Sequence, residues 1–200
     1  MQNKTVHIDW NYSGKPDGFF GTGATPSEQI LVWGFGLLGT GLLGWVAWSH
    51  AIPWTWWQYV IAALLALDVL GGVVANSLNS CKRFYHAPLQ PEETGFTGLA
   101  KNHLAFTAFH VHPLIIGLVF GNMNWSYGLF WYVGLVLSAL FVLRSPLYLH
   151  RPVALGIIMT AILVNMYIIH PITGFEWLVP ALFLKIIYGH LVREEPYRPA

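Results

Sequence analysis

Six apolar stretches, each long enough to cross a bilayer as a helix, crowd this chain so closely that no soluble domain of useful size fits between them. A hydrocarbon core about 30 Å thick takes about 20 apolar residues in a helix. The stretches run approximately over Gln29–Trp48, Trp57–Leu78, Leu99–Phe120, Tyr127–Leu143, Val153–Ile169 and Phe175–Val192. Ile52-Pro53, Gly121-Asn122, Arg151-Pro152 and His170-Pro171 supply turn signals between or at the ends of them. Composition agrees, with 55% hydrophobic and 10% charged residues, against about 25% charged in an ordinary soluble domain. The expected fold is therefore all-α, a polytopic membrane bundle of six transmembrane helices. Residues 1–27 form a polar N-terminal segment, 28–193 the transmembrane domain and 194–200 a short tail. The first 27 residues lack the basic-then-apolar order of a cleavable signal, so targeting is assigned to the first membrane helix.

Lys and Arg near helix ends are retained on the cytoplasmic side, and here they alternate cleanly. Lys4 and Lys15 precede the first helix, Lys82, Arg83 and Lys101 flank the second loop, Arg144 and Arg151 bracket the fourth, and Arg193 and Arg198 occupy the tail. The first, third and fifth loops hold none. Both termini are thus expected in the cytoplasm of a cell whose cytoplasmic membrane holds the protein as a multi-pass chain. Trp54, Trp56, Trp57, Trp125 and Trp177 fall at the opposite interface as an aromatic belt. Gly36, Thr40 and Gly44 in helix 1 and Gly117 and Gly121 in helix 3 recur every four residues. Such faces let helix backbones approach closely, within one chain or across a homodimer.

Ionisable groups in hydrocarbon are costly, face the bundle interior and mark function. Asp68 lies near the middle of helix 2. Asn79 returns to its face eleven residues later, and Asn76 lies partly beside that stripe. Ser77, Ser80 and the run Cys81-Lys82-Arg83-Phe84-Tyr85-His86 complete the polar track. In helix 3, His103 and His110 share a face with Thr107 between them, whereas His112 projects almost opposite His110. His110 and Asp68 fall at comparable depth, so an Asp68–His110 pair is expected. Lys185, in helix 6, is expected to snorkel toward the cytoplasmic surface, with a salt bridge to Asp68 as the alternative.

A cytoplasmic vestibule gathers His86, His103, His150 and His190 with Lys82, Arg83, Arg144, Arg151 and Arg193, a set suited to an anionic head group. From these residues follows a metal-dependent membrane hydrolase acting on a lipid or amphipathic substrate. Zinc or another divalent ion would be held by His103, His110 and His86, leaving one position for an activated water. Asp68, His110 and Ser77 are the catalytic candidates, and Asn76, Asn79, Lys82, Arg83, Arg151 and His190 the substrate-binding ones. Three other readings stand beside this one. They are a proton-coupled carrier using Asp68, His110 and Lys185, b-type haem on His103 or His110 with His170 or His190, and a subunit without chemistry of its own. No HxxxH or HExxH box and no GxxxxGK[ST] loop is present, and no GxGxxG run opens a helix. One cysteine, Cys81, excludes a multi-cysteine metal site, and a net charge of +1 offers nothing for nucleic acid.

Overall fold

In the computed structural model, which describes residues 6–11, 14, 16–91 and 93–199, the chain is a helical bundle with two short β-ribbons. Lys4 and Lys15, part of the charge pattern above, lie outside the described residues. Helix α1 (Pro26–Ser49) starts at a capping box. Glu28 N donates to Thr25 Oγ1 at 3.2 Å while Thr25 N donates to Glu28 Oε2 at 2.7 Å, and Pro26 occupies the first turn, where its missing N–H costs nothing. Helix α2 (Trp56–Ser77) follows, and α1 lies along it with Gly36 against Gly71, where a Cβ on Gly36 would come within 3.3 Å of the Gly71 Cα. The remainder of α1 turns outward: Leu37, Leu42 and Trp45 are each more than half exposed, as a lipid-facing surface requires.

Among the described residues four helical segments are long and apolar enough to cross a membrane: α1, α2, α7 (Trp125–Arg144) and Leu147–Tyr167, in which a 3₁₀ turn leads into α8 (His150–Tyr167). The expected third and sixth helices depart from the sequence reading. In place of one rod over Leu99–Phe120 there are three pieces, α4 (Gly95–Lys101), α5 (His103–Phe109) and α6 (His112–Val119). Asn102 stops α4 and caps α5 by accepting from Ala105 N at 3.0 Å. At this point the chain turns through 110°, so that His103–Val119 counts as a fifth crossing if the bent pair is one span.

A second break, at His110 and Val111, has its cause in Pro113, which brings no N–H to bond the Phe109 carbonyl. Val111 N bonds that carbonyl instead at 2.9 Å, and the hydroxyl of Tyr132 on α7 donates to the Ala108 carbonyl at 2.9 Å. Freed backbone groups at membrane depth are thereby satisfied from within the protein.

The sixth segment is short, with α9 (Leu178–Phe183) continuing as a π-helix (Leu184–His190). Leu178, Val179, Leu182, Phe183, Ile186 and Ile187 are essentially inaccessible. A helix apolar on all sides belongs inside a bundle. Surrounded by protein, it has no lipid thickness to match, and its length of about 20 Å at 1.5 Å per residue is therefore tolerated.

The polar end is built by α3 (Asn79–His86), which leaves α2 at the extended Leu78. A hairpin, β2 (Pro16–Asp17) and β3 (Gly21–Thr22), packs on it. Gly21, at φ +76°, lies so close to the Ser80 carbonyl that no side chain fits. Strand β1 (Val6–Ile8) pairs antiparallel with β4 (Tyr197–Pro199), joining the two ends of the chain. Of the expected aromatic belt, Trp56 and Trp125 are exposed, whereas Trp54 turns inward against Tyr59, Phe120 and Phe175.

The glycines of the expected helix 3 pack within the chain. A Cβ on Gly128 of α7 would stand 2.8 Å from the Pro113 carbonyl, and one on Gly117 would stand 3.1 Å from Gly128 N. Gly128→Val is therefore expected to lower stability by about 1–3 kcal/mol through overpacking. Gly41→Val, where nothing lies within 4 Å, is expected to leave it unchanged or raise it, as read from thermal unfolding of the two variants in the same detergent.

Candidate functional site

Three elements converge on one carboxylate. Asp68 Oδ2, midway along α2, accepts from Lys185 Nζ of the π-helix at 2.7 Å and from His112 Nε2 of α6 at 2.8 Å. Lys185 is only 4% exposed, and Gly72, one turn beyond Asp68, is where its stem passes; a Cβ there would collide with Lys185 Cε. Snorkelling is therefore not what Lys185 does. Its helix sits in the centre of the bundle, the route to an interface is closed by protein, and Asp68 supplies a partner at the same depth. The expected alternative, the salt bridge, is the arrangement present.

The imidazole on Asp68 is His112, not His110 as the helical spacing suggests. The assignment of opposite faces to these two residues assumes an unbroken helix, and the break at His110-Val111 removes that assumption. Their rings lie side by side, with centroids 5.4 Å apart and planes 23° from parallel. His110 Nδ1 sits 2.7 Å from the Phe106 carbonyl. A carbonyl can only accept, so Nδ1 carries the proton and Nε2 keeps its lone pair. By the same logic His112 Nε2 carries a proton toward the carboxylate, and its Nδ1 is an enclosed atom with no partner among the described residues.

These groups form the polar wall of a cavity of about 390 Å³ between α2, the α5–α6 break and the π-helix. Asn76 and Tyr85 also line it. Asn76 Nδ2 donates to the Lys185 carbonyl at 2.9 Å and the Tyr85 hydroxyl donates to Asn76 Oδ1 at 2.8 Å. The rest of the lining is apolar and includes Phe19 of the hairpin, Phe96 of α4, Phe109, Val111 and Ile115. The size and the ratio of apolar wall to few polar groups are those of a small-molecule site.

The other expected residues lie elsewhere. Ser77 is exposed and donates to the Val73 carbonyl at 2.8 Å. It lines a separate polar cleft with Asn79, Lys82 and Arg151. Asn79 Oδ1 accepts from Tyr197 N at 3.1 Å. Lys82 is buried and caps the end of the π-helix, donating to the Gly189 and Val192 carbonyls at 2.6 and 2.8 Å, with Glu194 at 3.6 Å. Burial draws its ammonium down to about 8, against the opposing pull of Glu194. Arg83 donates to the Thr22 carbonyl at 3.2 Å, and Arg151 reaches Glu194 at 3.5 Å.

His86, His103 and His190 do gather. His103 Nδ1 lies 3.0 Å from His190 Nε2, and the His86 and His103 rings are 4.9 Å apart. Burial pushes His86, at the end of α3, down to about 3, so it is neutral near pH 7. His110 is set apart from this group, and the Phe106 ring touches both it and His190, at 4.7 and 4.3 Å. Among the described residues no group of three or more His, Cys, Asp or Glu side chains is arranged to hold a metal ion. His112 and Tyr85 are the members of the pocket that sequence reasoning did not select. Pro113 immediately after His112 was the available signal, because a proline inside an apolar stretch announces a break that re-aims the histidines.

No family model, no curated protein and no solved structure matches this chain.

Removing one partner of a buried ion pair leaves the other charge uncompensated. Asp68→Asn is accordingly expected to destabilise by about 1–3 kcal/mol, below the fully buried range of about 3–5 kcal/mol because the Asp68 side chain is 41% exposed. The double variant Asp68→Asn/Lys185→Met is expected to recover much of that loss. Additive losses in thermal unfolding of the single and double variants would show the pair to be uncoupled.

Proposed function

We propose that this chain is a multi-pass membrane protein with six membrane-inserted segments and both termini in the cytoplasm, and that the Asp68 pocket performs acid–base chemistry, of the hydrolytic class, on an amphipathic substrate. The observation that carries this reading is one carboxylate shared by an imidazole and an ammonium in the wall of an otherwise apolar cavity. An even number of crossings is supported by β1 pairing with β4, since strands hydrogen-bonded to each other lie on one side of the membrane. Counting α5–α6 and α9 with its π-helix beside the four long segments makes six. The cytoplasmic assignment rests on the basic residues at that end, among them Lys82, Arg83, Arg144, Arg151 and Arg193.

In this reading His110 is the general base. Its Nδ1–H is anchored on the Phe106 carbonyl and its Nε2 lone pair belongs to the pocket wall. It takes a proton from water as the water oxygen bonds to an acyl carbon, and returns that proton to the leaving group when the old bond breaks. Lys185, kept charged by Asp68, meets the negative charge that develops on the acyl oxygen. His112 holds the other side of the carboxylate and fixes its direction. Asn76 fixes the backbone that carries Lys185.

The metal-dependent form of the reaction, with zinc on His86, His103 and a further imidazole, is a separate proposal tested by elemental analysis of detergent-purified protein. The carrier reading draws on the same mid-span Asp68–Lys185–His112 cluster, and proton-linked uptake into vesicles without substrate turnover would select it.

Protein reconstituted in nanodiscs and offered a panel of long-chain esters and amides is expected to turn over at least one of them. His110→Gln and Asp68→Asn are expected to cut that rate by about 10²-fold or more, with helical content retained. Wild-type turnover in both variants would remove the pocket from the chemistry. For the topology, a C-terminal fusion to a reporter active only outside the cytoplasm is expected to be silent.

A further inference from the structure

The acid–base reading leaves open how a substrate reaches a site in the middle of a bundle. The mouth of the cavity supplies the answer. Phe109 is 61% exposed and Val111 38%, and both belong to the α5–α6 segment at membrane depth. Toward the polar end the rim is made by Phe19 and Phe96, also about half exposed. Helix α2 packs against α1 and the π-helix, while α6 packs against α7. Between α2 and α6 the described residues leave a cleft spanned by the His112–Asp68 hydrogen bond. In a bilayer this mouth, ringed by aromatic and aliphatic side chains, faces hydrocarbon.

The polar wall restricts what can enter. Asp68 and Lys185 neutralise each other at 2.7 Å, and His110, anchored through Nδ1, turns its Nε2 edge to the cavity. A charged head group could be compensated only by drawing Lys185 or Asp68 away from its partner and uncoupling a buried pair, whereas a hydroxyl or amide N–H can donate to His110 Nε2 with the pair intact. At about 390 Å³ the cavity is at the small end of the range for small-molecule sites, enough for such a head group and the start of one chain.

We propose that the site takes an uncharged single-chain amphiphile with a hydroxyl or amide head group, and that this molecule enters sideways from the bilayer between α2 and the α5–α6 break. The proposal rests on the acid–base reading, since the head group is what the site acts on. Its tail leaves the cavity past Val111 and Phe109 and remains in lipid throughout.

The test uses the whole protein in phosphatidylcholine nanodiscs and a monoacylglycerol carrying a nitroxide at the start of its chain, next to the head group. Electron paramagnetic resonance is expected to show a saturable immobilised component. 1-Monooleoylglycerol should displace it at about tenfold lower concentration than oleate does. Val111→Trp, which fills the mouth, should weaken probe binding by about tenfold, while Leu118→Trp, on the lipid face of α6 but outside the cavity, should bind like wild type. Equal or better displacement by oleate, equal binding in Val111→Trp, or no saturable component overturns the proposal. Asp68-dependent ester turnover without probe immobilisation would leave the acid–base reading standing and remove this one. Immobilisation without any Asp68-dependent turnover would remove the chemistry and keep the binding site.

Discussion

A carboxylate in the hydrocarbon layer has to be compensated on the spot, and the way Asp68 meets that demand organises the bundle. Two bases from two other elements share its Oδ2, so α2, α6 and the π-helix are pinned to one point at mid-depth. Position 72 is held to glycine by the lysine stem crossing it. The last helix is buried because Lys185 must arrive from the interior, and its all-round apolar surface makes that burial favourable. The pair does not have to add stability to have this effect. A buried ion pair replaced by hydrocarbon is often no worse, whereas a broken one is costly, so the constraint acts on geometry and on which single substitutions survive.

One break in the helical backbone lies in the same neighbourhood. Non-helical residues at membrane depth are tolerated only where they line a cavity or are bonded by protein, and the break at His110-Val111 meets both conditions through Tyr132 and the pocket. Across the cavity, the π-helix widens the turn that carries Lys185 and His190, a device common where a helix serves a site rather than a core. The cavity lies where α2 and α6 diverge, and the His112–Asp68 hydrogen bond spans it.

At the polar end the chain ties itself together. Lys82 reaches two carbonyls at the end of the π-helix, the hairpin lies on α3 through Gly21, and the β1–β4 ribbon joins the termini. The hairpin also contributes Phe19 to the rim of the pocket. The hairpin is thus part of the same unit as the long helices and helps to close the Asp68 cavity from its polar end.

Much of this was legible in the residues alone, because the bilayer reads composition and length. Long apolar runs and the presence of ionisable Asp68 and Lys185 within them are local facts that a linear pattern records. The pocket membership of Asp68, His110 and Asn76 followed from them. Which histidine meets Asp68 did not follow, since a helical projection adds 100° per residue and Pro113 interrupts the sum. Neither did the fate of Lys185, since snorkelling and pairing differ only in what surrounds the helix. The projection of Asn79 onto the Asp68 face assumes that α2 continues, but the chain turns at Leu78 and hands Asn79 to another cleft, which Ser77 at the end of α2 also lines. The sequence by itself determined the long apolar helices suited to a membrane and where along them the ionisable groups fall, both set by residue chemistry along one dimension. Only the tertiary structure decided the partners, because those depend on where helices break and which of them the bundle encloses.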